Sequence, residues 1–327
     1  MPLLPFSTYS PPPLLGNPHV QTIVPTLFRR VRAAFRRVRH ELPDGDFLDV
    51  DELRGGNPRA ALLLHGLESH SRQHYMAAMA RVLARRGWDV FAMNFRGCSG
   101  EPNRLYSAYH SGKSDDVLWL LNRISGGYDC MALVGFSVGG NIALKLAGEQ
   151  GGAFIGSVAA VAAVCAPCDL AGSARQLERS RNRLYMQRFA ASLRKKIMEK
   201  HRRFGSVVTE RDFAAMTTFT AIDNLYTAPA HGFADAEEYW QLNSSAAVIG
   251  DIAVPALLIS AADDPFLSPE CYPRDIARKR PHVTLEIPPH GGHLGFVTFG
   301  REFWHERRIA GFLEEHSGDP TTFSAVE

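Results

Sequence analysis

From about residue 46 onward, short apolar runs of strand length alternate with longer stretches of helical periodicity. This alternation is typical of an α/β fold, in which helices cover the faces of a mainly parallel sheet. The apolar runs lie at about residues 47–53, 60–64, 89–93, 131–134, 158–165, 254–260 and 283–287. The helical stretches lie at about residues 74–86, 114–124, 138–149, 270–279 and 302–315. Because the runs are largely apolar, the sequence predicts strands that are buried on both faces.

One segment interrupts this alternation, because about 80 residues without a strand pattern separate Cys165 from Val254. Apolar residues recur there at every fourth position, which predicts an apolar stripe along one helix. The stripe consists of Tyr185, Phe189, Leu193 and Ile197. We therefore expect a helical lid over the carboxyl edge of the sheet, where open α/β sheets bind ligands. The predicted parts are an N-terminal arm (1–45), a core (46–169 and 251–327) and a lid insertion (170–250).

Composition excludes several classes of protein. Of 327 residues, 45% are hydrophobic and 21% charged, which permits a large core in a water-soluble protein. Lys and Arg number 36 against 34 Asp and Glu, so the chain lacks the strongly basic balance of a nucleic-acid-binding protein. The proline-rich start does not resemble a signal peptide, and no run of about 18 apolar residues predicts a membrane span. With five cysteines, an odd number too small for a disulfide scaffold, we expect a cytoplasmic protein.

The motif with chemical content is G-x-S-x-G at residues 135–139, where an apolar strand runs into a predicted helix. Strand, sharp turn and helix are the context of a nucleophile elbow, which exposes the hydroxyl of its serine, here Ser137. A serine is a poor nucleophile at pH 7 and needs a base and an orienting carboxylate. Behind such an elbow these partners follow in the order acid, then histidine.

Both partners are present after later strands. We assign the acid to Asp264, which precedes an apolar turn, and keep its neighbour Asp263 as the alternative because spacing does not separate adjacent residues. We assign the base to His293, which follows two glycines, in preference to His290. The predicted roles are Ser137 as nucleophile, His293 as base and then acid, and Asp264 as the group that orients the imidazole.

Two backbone N–H groups are predicted to stabilise the developing oxyanion. One belongs to Val138, the residue after the serine, and the other to Leu67, in the loop after an early strand. In the lid, Tyr185, Phe189 and Leu193 are expected to line an acyl pocket over the serine. The alternative is that this stripe packs on the core and that the pocket lies elsewhere.

Eight segments in order resemble the α/β-hydrolase superfamily and, within it, the YheT-like esterases. They are NPHVQTIVP (17–25), LHGLE (64–68), NFRGCSGEPNRL (94–105), YHSG (109–112), GFSVGGN (135–141), TAPAHGF (227–233), DDPF (263–266) and GGHLGF (291–296). The resemblance implies hydrolysis of small-molecule carboxylic esters with short to medium acyl chains, without a metal or other cofactor. Eukaryotic relatives have a membrane anchor before this domain, which this sequence does not match. The alternatives are an acyltransferase or thioesterase with the same acyl-enzyme, and a non-catalytic receptor of the same fold.

Other patterns favour structural roles. Cys165 and Cys168 form a C-x-x-C pair, but they end a strand and do not open a helix, so a redox role is disfavoured. His65, His70 and His74 lack the accompanying carboxylates or thiols of a metal site. Residues 29–39 contain six arginines and no acid, which favours a solvated segment over contact with anionic lipid or nucleic acid. The sequence does not indicate an oligomeric state.

Overall fold

An eight-stranded sheet lies at the centre of the residues that the structure describes, which in this computed structural model are 3–4, 7–154, 158–205 and 208–318. The strands are β1 (Arg36–Glu41), β2 (Phe47–Leu53), β3 (Arg59–Leu64), β4 (Trp88–Met93), β5 (Cys130–Phe136), β6 (Val158–Val164), β7 (Ala256–Ile259) and β8 (Val283–Glu286). Their order is β1-β2-β4-β3-β5-β6-β7-β8. Strand β2 is antiparallel to both neighbours, and β3 to β8 are parallel. The predicted α/β fold is confirmed.

Helices precede and connect these strands. They are α1 (Pro18–Phe28), α2 (His74–Arg85), α3 (Ser114–Ile124), α4 (Val138–Gln150), α5 (Leu170–Glu178), α6 (Arg183–Phe204), α7 (Glu210–Ala215), α8 (Phe219–Ile222), α9 (Ala228–His231), α10 (Ala236–Asn243), α11 (Arg274–Lys279) and α12 (Trp304–Glu315). A π-helical turn, Asp223–Thr227, joins α8 to α9. No helix in these ranges is both long and apolar enough to cross a bilayer.

Buried side chains form one apolar layer on each face of the sheet. Helices α3 and α4 supply residues to the first layer, and α2 and α12 supply residues to the second. A third apolar cluster lies between the helices of residues 170–250 and includes Ile197 of the predicted stripe. The insertion therefore has a core of its own, which contacts the rest of the chain through the buried Phe266 and the partly buried Leu67 and Tyr106.

The first 45 residues differ from the predicted arm, because β1 is an edge strand of the sheet. Its arginines face carboxylates on β2: Arg37 lies opposite Asp51 and Arg39 opposite Asp49, each at 2.8 Å. Cross-strand pairs of opposite charge stabilise a sheet, so a run of arginines can form a strand where the neighbouring strand supplies the acids. The predicted end of the core, residue 327, lies outside the described residues.

Candidate active site

The turn between β5 and α4 places Ser137 at the carboxyl edge of the sheet. Its φ of 53° lies in the region that side-chain-bearing residues rarely adopt, as the sharp turn of an elbow requires. The flanking glycines are needed for space. A Cβ on Gly135 would lie 2.2 Å from the Gly139 oxygen, and a Cβ on Gly139 would lie 2.5 Å from the Leu64 oxygen.

Three predicted side chains meet at this edge. Nε2 of His293 lies 2.9 Å from Oγ of Ser137, and its Nδ1 lies 2.8 Å from Oδ2 of Asp264. Asp264 and His293 are buried, whereas Ser137 is half-buried. If Nδ1–H donates to Asp264, Nε2 has the free lone pair with which to accept the serine proton. The arrangement can remove a proton from Ser137 and return it to a leaving group.

The alternative residues lie in different surroundings. Oδ1 of Asp263 accepts a hydrogen bond from the Gly292 N–H at 2.9 Å, and Oδ2 lies 3.3 Å from Nδ1 of the exposed His290. Partial burial raises the pKa of Asp263. This second pair therefore stabilises the loop before His293 and does not reach Ser137.

The two predicted oxyanion donors flank the serine. A Cβ on Gly66 would lie 3.2 Å from the Ser137 Cβ, so the loop after β3 passes directly beside Ser137. The N–H of Gly66 donates to the Tyr75 hydroxyl. Within the described part of the chain, the N–H groups of Leu67 and Val138 have no hydrogen-bond acceptor. Two such N–H groups beside one serine can both donate hydrogen bonds to a substrate oxygen, which suits an oxygen that becomes anionic.

His65 fixes the conformation of that loop. Burial lowers its pKa to about 3, so the imidazole is neutral at pH 7. Its Nε2 accepts from the Phe95 N–H at 3.2 Å, which leaves Nδ1–H to donate to the Gly66 oxygen at 2.7 Å. A neutral histidine thus joins the loop after β3 to the end of β4, and it is not placed to bind a metal.

A cavity of about 280 Å³ opens over Ser137. The insertion contributes Tyr185 and Phe189 to its wall. Leu193, which was expected beside them, does not line this cavity. Its side chain lines two neighbouring cavities, one of about 100 Å³ and one of about 290 Å³, because it lies one turn further along α6.

The cavity of about 100 Å³ lies between the insertion and loops of the core, and we call it the inner cavity. Leu67 lines both the inner cavity and the cavity over Ser137. Its wall is mostly apolar and includes Ala174, Leu177 and Phe219. At its far side lies the buried Asp223, which accepts a hydrogen bond from Trp240 Nε1 at 2.8 Å. Burial raises the pKa of Asp223 to about 6.

Sequence reasoning missed the contribution of α1. Thr22, Ile23 and Leu27 line the cavity over Ser137, and Thr22 Oγ1 accepts a hydrogen bond from the His293 N–H at 2.9 Å. The signal was available in the NPHVQTIVP segment. Asn17 caps this helix by accepting from the His19 N–H at 2.9 Å, and proline occupies the first helical position.

All five cysteines are buried free thiols, and none forms a disulfide bond. Burial and then the charge of Asp264 raise the pKa of Cys165 well above its usual value, and burial raises that of Cys168 to about 12. Within the described residues, one group of three ligand-type atoms lies within 4.8 Å of one another: Cys165, Asp264 and His293. Asp264 and His293 are hydrogen-bonded to each other, and the Cys165 sulfur accepts from the Leu294 N–H, so these atoms are already engaged in hydrogen bonds.

Comparison with known proteins agrees with this geometry. A family model described as the alpha/beta hydrolase fold matches residues 61–299. The Escherichia coli (strain K12) protein named "Putative esterase YheT" is 33% identical over 312 residues, which cover 91% of this chain and 90% of that protein. The Saccharomyces cerevisiae "Medium-chain fatty acid ethyl ester synthase/esterase 2" is 27% identical, over 81% of this chain and 64% of its own length.

Solved structures agree on the fold. The Pyrococcus furiosus esterase Pf2001 superimposes with a TM-score of 0.60 at 17% identity, covering 96% of this chain and 99% of that one. A crystal structure titled as a membrane phospholipase A gives a TM-score of 0.58 at 18% identity, with 92% of each chain covered. The chain belongs to the α/β-hydrolase family and to its YheT-like branch.

Proposed function

We propose that this chain is a serine hydrolase that cleaves carboxylic esters through an acyl-enzyme. The observation that supports this most is the continuous hydrogen-bonded series from Asp264 through His293 to Ser137, on an elbow with φ of 53°. Relatives named as esterases and as a monoacylglycerol lipase support the same class of reaction.

The reaction proceeds in two halves. His293 Nε2 takes the Ser137 proton as Oγ attacks the ester carbonyl, and the carbonyl oxygen becomes an oxyanion. The N–H groups of Leu67 and Val138 stabilise that charge. His293 then protonates the leaving alcohol, and the acyl group stays on Ser137. A water molecule, deprotonated by His293, releases the acid and regenerates the serine.

Asp264 holds the imidazole in the tautomer that this cycle needs. Its carboxylate accepts the Nδ1–H bond, and its buried negative charge stabilises the imidazolium that forms in each half. Phe266 packs against the ring of His293 with centroids 4.3 Å apart. Together with Thr22 on the backbone N–H, these contacts restrict rotation of the histidine.

The acyl chain extends from Ser137 past Leu67 and Phe189 into the inner cavity between α5 and α8. The Phe189 ring lies 6.0 Å from that of Phe219, so the two cavities are separated by little more than side chains. The insertion of residues 170–250 thus acts as the lid. Each methylene transferred from water gains about 0.8 kcal/mol, or roughly fourfold in kcat/KM, until the inner cavity is full.

A second candidate keeps the acyl-enzyme and passes it to an alcohol. It is favoured by the yeast relative, whose name covers both ester synthesis and ester hydrolysis. Product analysis of a medium-chain acyl ester in water with added ethanol separates the two. Free acid as the main product identifies a hydrolase, and ethyl ester as the main product identifies an acyltransferase.

The experiment that tests the proposal is a kcat/KM series over p-nitrophenyl esters of increasing acyl length. For the wild type, kcat/KM should rise with acyl length and then level off. Ala174→Leu, which fills the inner cavity, should move the plateau to shorter chains, whereas Ala171→Leu on the same helix, outside the cavity wall, should not. Folded protein that hydrolyses no ester in the series would contradict the proposed reaction. Equal profiles for both variants would contradict only the proposed acyl path.

A further inference from the structure

Large apolar side chains are exposed around the entrance to the cavity over Ser137. On α1, Ile23 is 40% exposed, Leu27 51% and Phe28 74%. At the start of α6, Leu184 is 79% exposed. Ile23 and Leu27 also line the cavity, so apolar side chains at its rim are exposed to solvent. Exposed apolar residues that cluster in this way mark an interaction site more often than scattered ones do.

Spacing along the helices places these residues on one surface. Ile23 and Leu27 are four residues apart on α1, as Leu184 and Arg188 are on α6, so each pair shares a helix face. Arg188 lines the same cavity as Ile23 and Leu27. The exposed faces of α1 and α6 therefore border one opening. We call this the mouth surface, which consists of Ile23, Leu27, Phe28, Arg183, Leu184 and Arg188.

The charges on the mouth surface are positive and uncompensated. Arg183 and Arg188 are exposed, and within the described residues no carboxylate lies within ion-pair distance of either of them. By contrast, Arg29, which follows Phe28, pairs with the buried Glu306. The cavity wall contains one described carboxylate, Glu68, whose buried side chain is paired with Lys196 at 2.9 Å.

We propose that the mouth surface docks on a bilayer that contains anionic phospholipids, so that the cavity opens toward the membrane. Apolar side chains on an amphipathic helix insert at the boundary between headgroups and acyl chains, and flanking arginines bind lipid phosphates. The mouth surface combines exposed apolar side chains with unpaired arginines and has no acid among its residues, so it complements this interface in both respects. One part of this proposal rests on the proposed function: a docked enzyme would receive membrane acyl esters directly through the opening above Ser137.

The test measures co-sedimentation with vesicles, which does not require catalysis and is therefore run on both the wild type and Ser137→Ala. Vesicles of phosphatidylcholine with 30% phosphatidylglycerol are compared with pure phosphatidylcholine at low salt. Each interfacial arginine contributes about 1 kcal/mol, which is roughly fivefold in partition coefficient, so the anionic vesicles should bind at least tenfold more protein. Equal binding to both vesicle types, or none to either, would overturn the proposal.

Substitutions then locate the surface. Phe28→Asn, Leu184→Asn and Arg183→Gln combined should lower the partition coefficient at least tenfold, whereas Leu242→Asn with Arg280→Gln, exposed residues on α10 and after α11, should leave it unchanged. Unchanged binding by the triple variant would overturn the proposal. The proposal would also be overturned if, without vesicles, the wild type were a dimer and the triple variant a monomer, because the surface would then bind a second copy of the chain. Ester hydrolysis in solution, measured separately, distinguishes failure of this inference from failure of the proposed reaction.

Discussion

Replacement of Asp264 by asparagine tests the proposal that Asp264 orients His293 as the catalytic base. Asparagine has nearly the same shape, but its amide can donate to Nδ1 of His293, where the carboxylate could only accept. The imidazole proton would then lie on Nε2, 2.9 Å from Ser137 Oγ, and the base would have no lone pair for the serine proton. In a Ser-His-Asp site this tautomer change lowers kcat roughly 10⁴-fold, which is about 5.5 kcal/mol in activation free energy.

The adjacent Asp263→Asn is the matched control. The asparagine oxygen can still accept the Gly292 N–H bond, so we expect kcat within about threefold of wild type. The assay is steady-state hydrolysis of p-nitrophenyl butyrate, with thermal unfolding by circular dichroism to show that both variants are folded. The reasoning is refuted if Asp264→Asn keeps more than a tenth of wild-type kcat. It is equally refuted if Asp263→Asn is the more damaging change.

Three further outcomes follow from the same contacts. His293→Ala should lower kcat at least 10³-fold, whereas His290→Ala, at an exposed position, should change it by less than threefold, and the reverse order would show that the wrong histidine was assigned. Lys196→Met leaves the buried Glu68 carboxylate without its cation and should lower the free energy of urea unfolding by about 2 kcal/mol. Adding Glu68→Gln to Lys196→Met should partly restore that free energy. A double variant less stable than Lys196→Met alone would contradict this. The pKa of Asp223 is raised to about 6 in the folded protein. The stabilisation that protonated Asp223 contributes is therefore lost as the pH rises from the pKa of an unfolded aspartate toward 6. Asp223→Asn should therefore gain about 2 kcal/mol relative to wild type between pH 4.5 and 7.5 in urea unfolding, and a constant difference would contradict the raised pKa.

Much of the fold could be predicted from local pattern. Helix α3 (Ser114–Ile124) has the predicted bounds, and β3 and the elbow lie where an apolar run and glycines place them. Local pattern is sufficient there because burial on both faces of a parallel strand requires a continuous apolar run. The β1 strand could not be predicted in this way, because its arginines are neutralised by carboxylates of a different strand.

Part of the site could also be predicted from local pattern. Ser137, Asp264 and His293 each follow a strand, and the ends of parallel strands converge at one edge, so chain order alone brought them together. The choice between Asp264 and Asp263 needed the direction of each side chain, which spacing does not supply. The position of Leu193 depends on the rotation of α6 relative to the sheet, and Thr22 reaches the site only through packing of α1.

Covalent labelling of Ser137 tests the central claim most directly. The protein is incubated with a fluorophosphonate, which reacts with activated serines, and the adduct is located by intact mass and peptide mapping. We expect one adduct per chain, on the peptide that contains Ser137, with loss of esterase activity in proportion and no adduct on folded Ser137→Ala. Folded wild-type protein that hydrolyses esters without labelling at Ser137, or that keeps its activity when labelled there, would contradict the account.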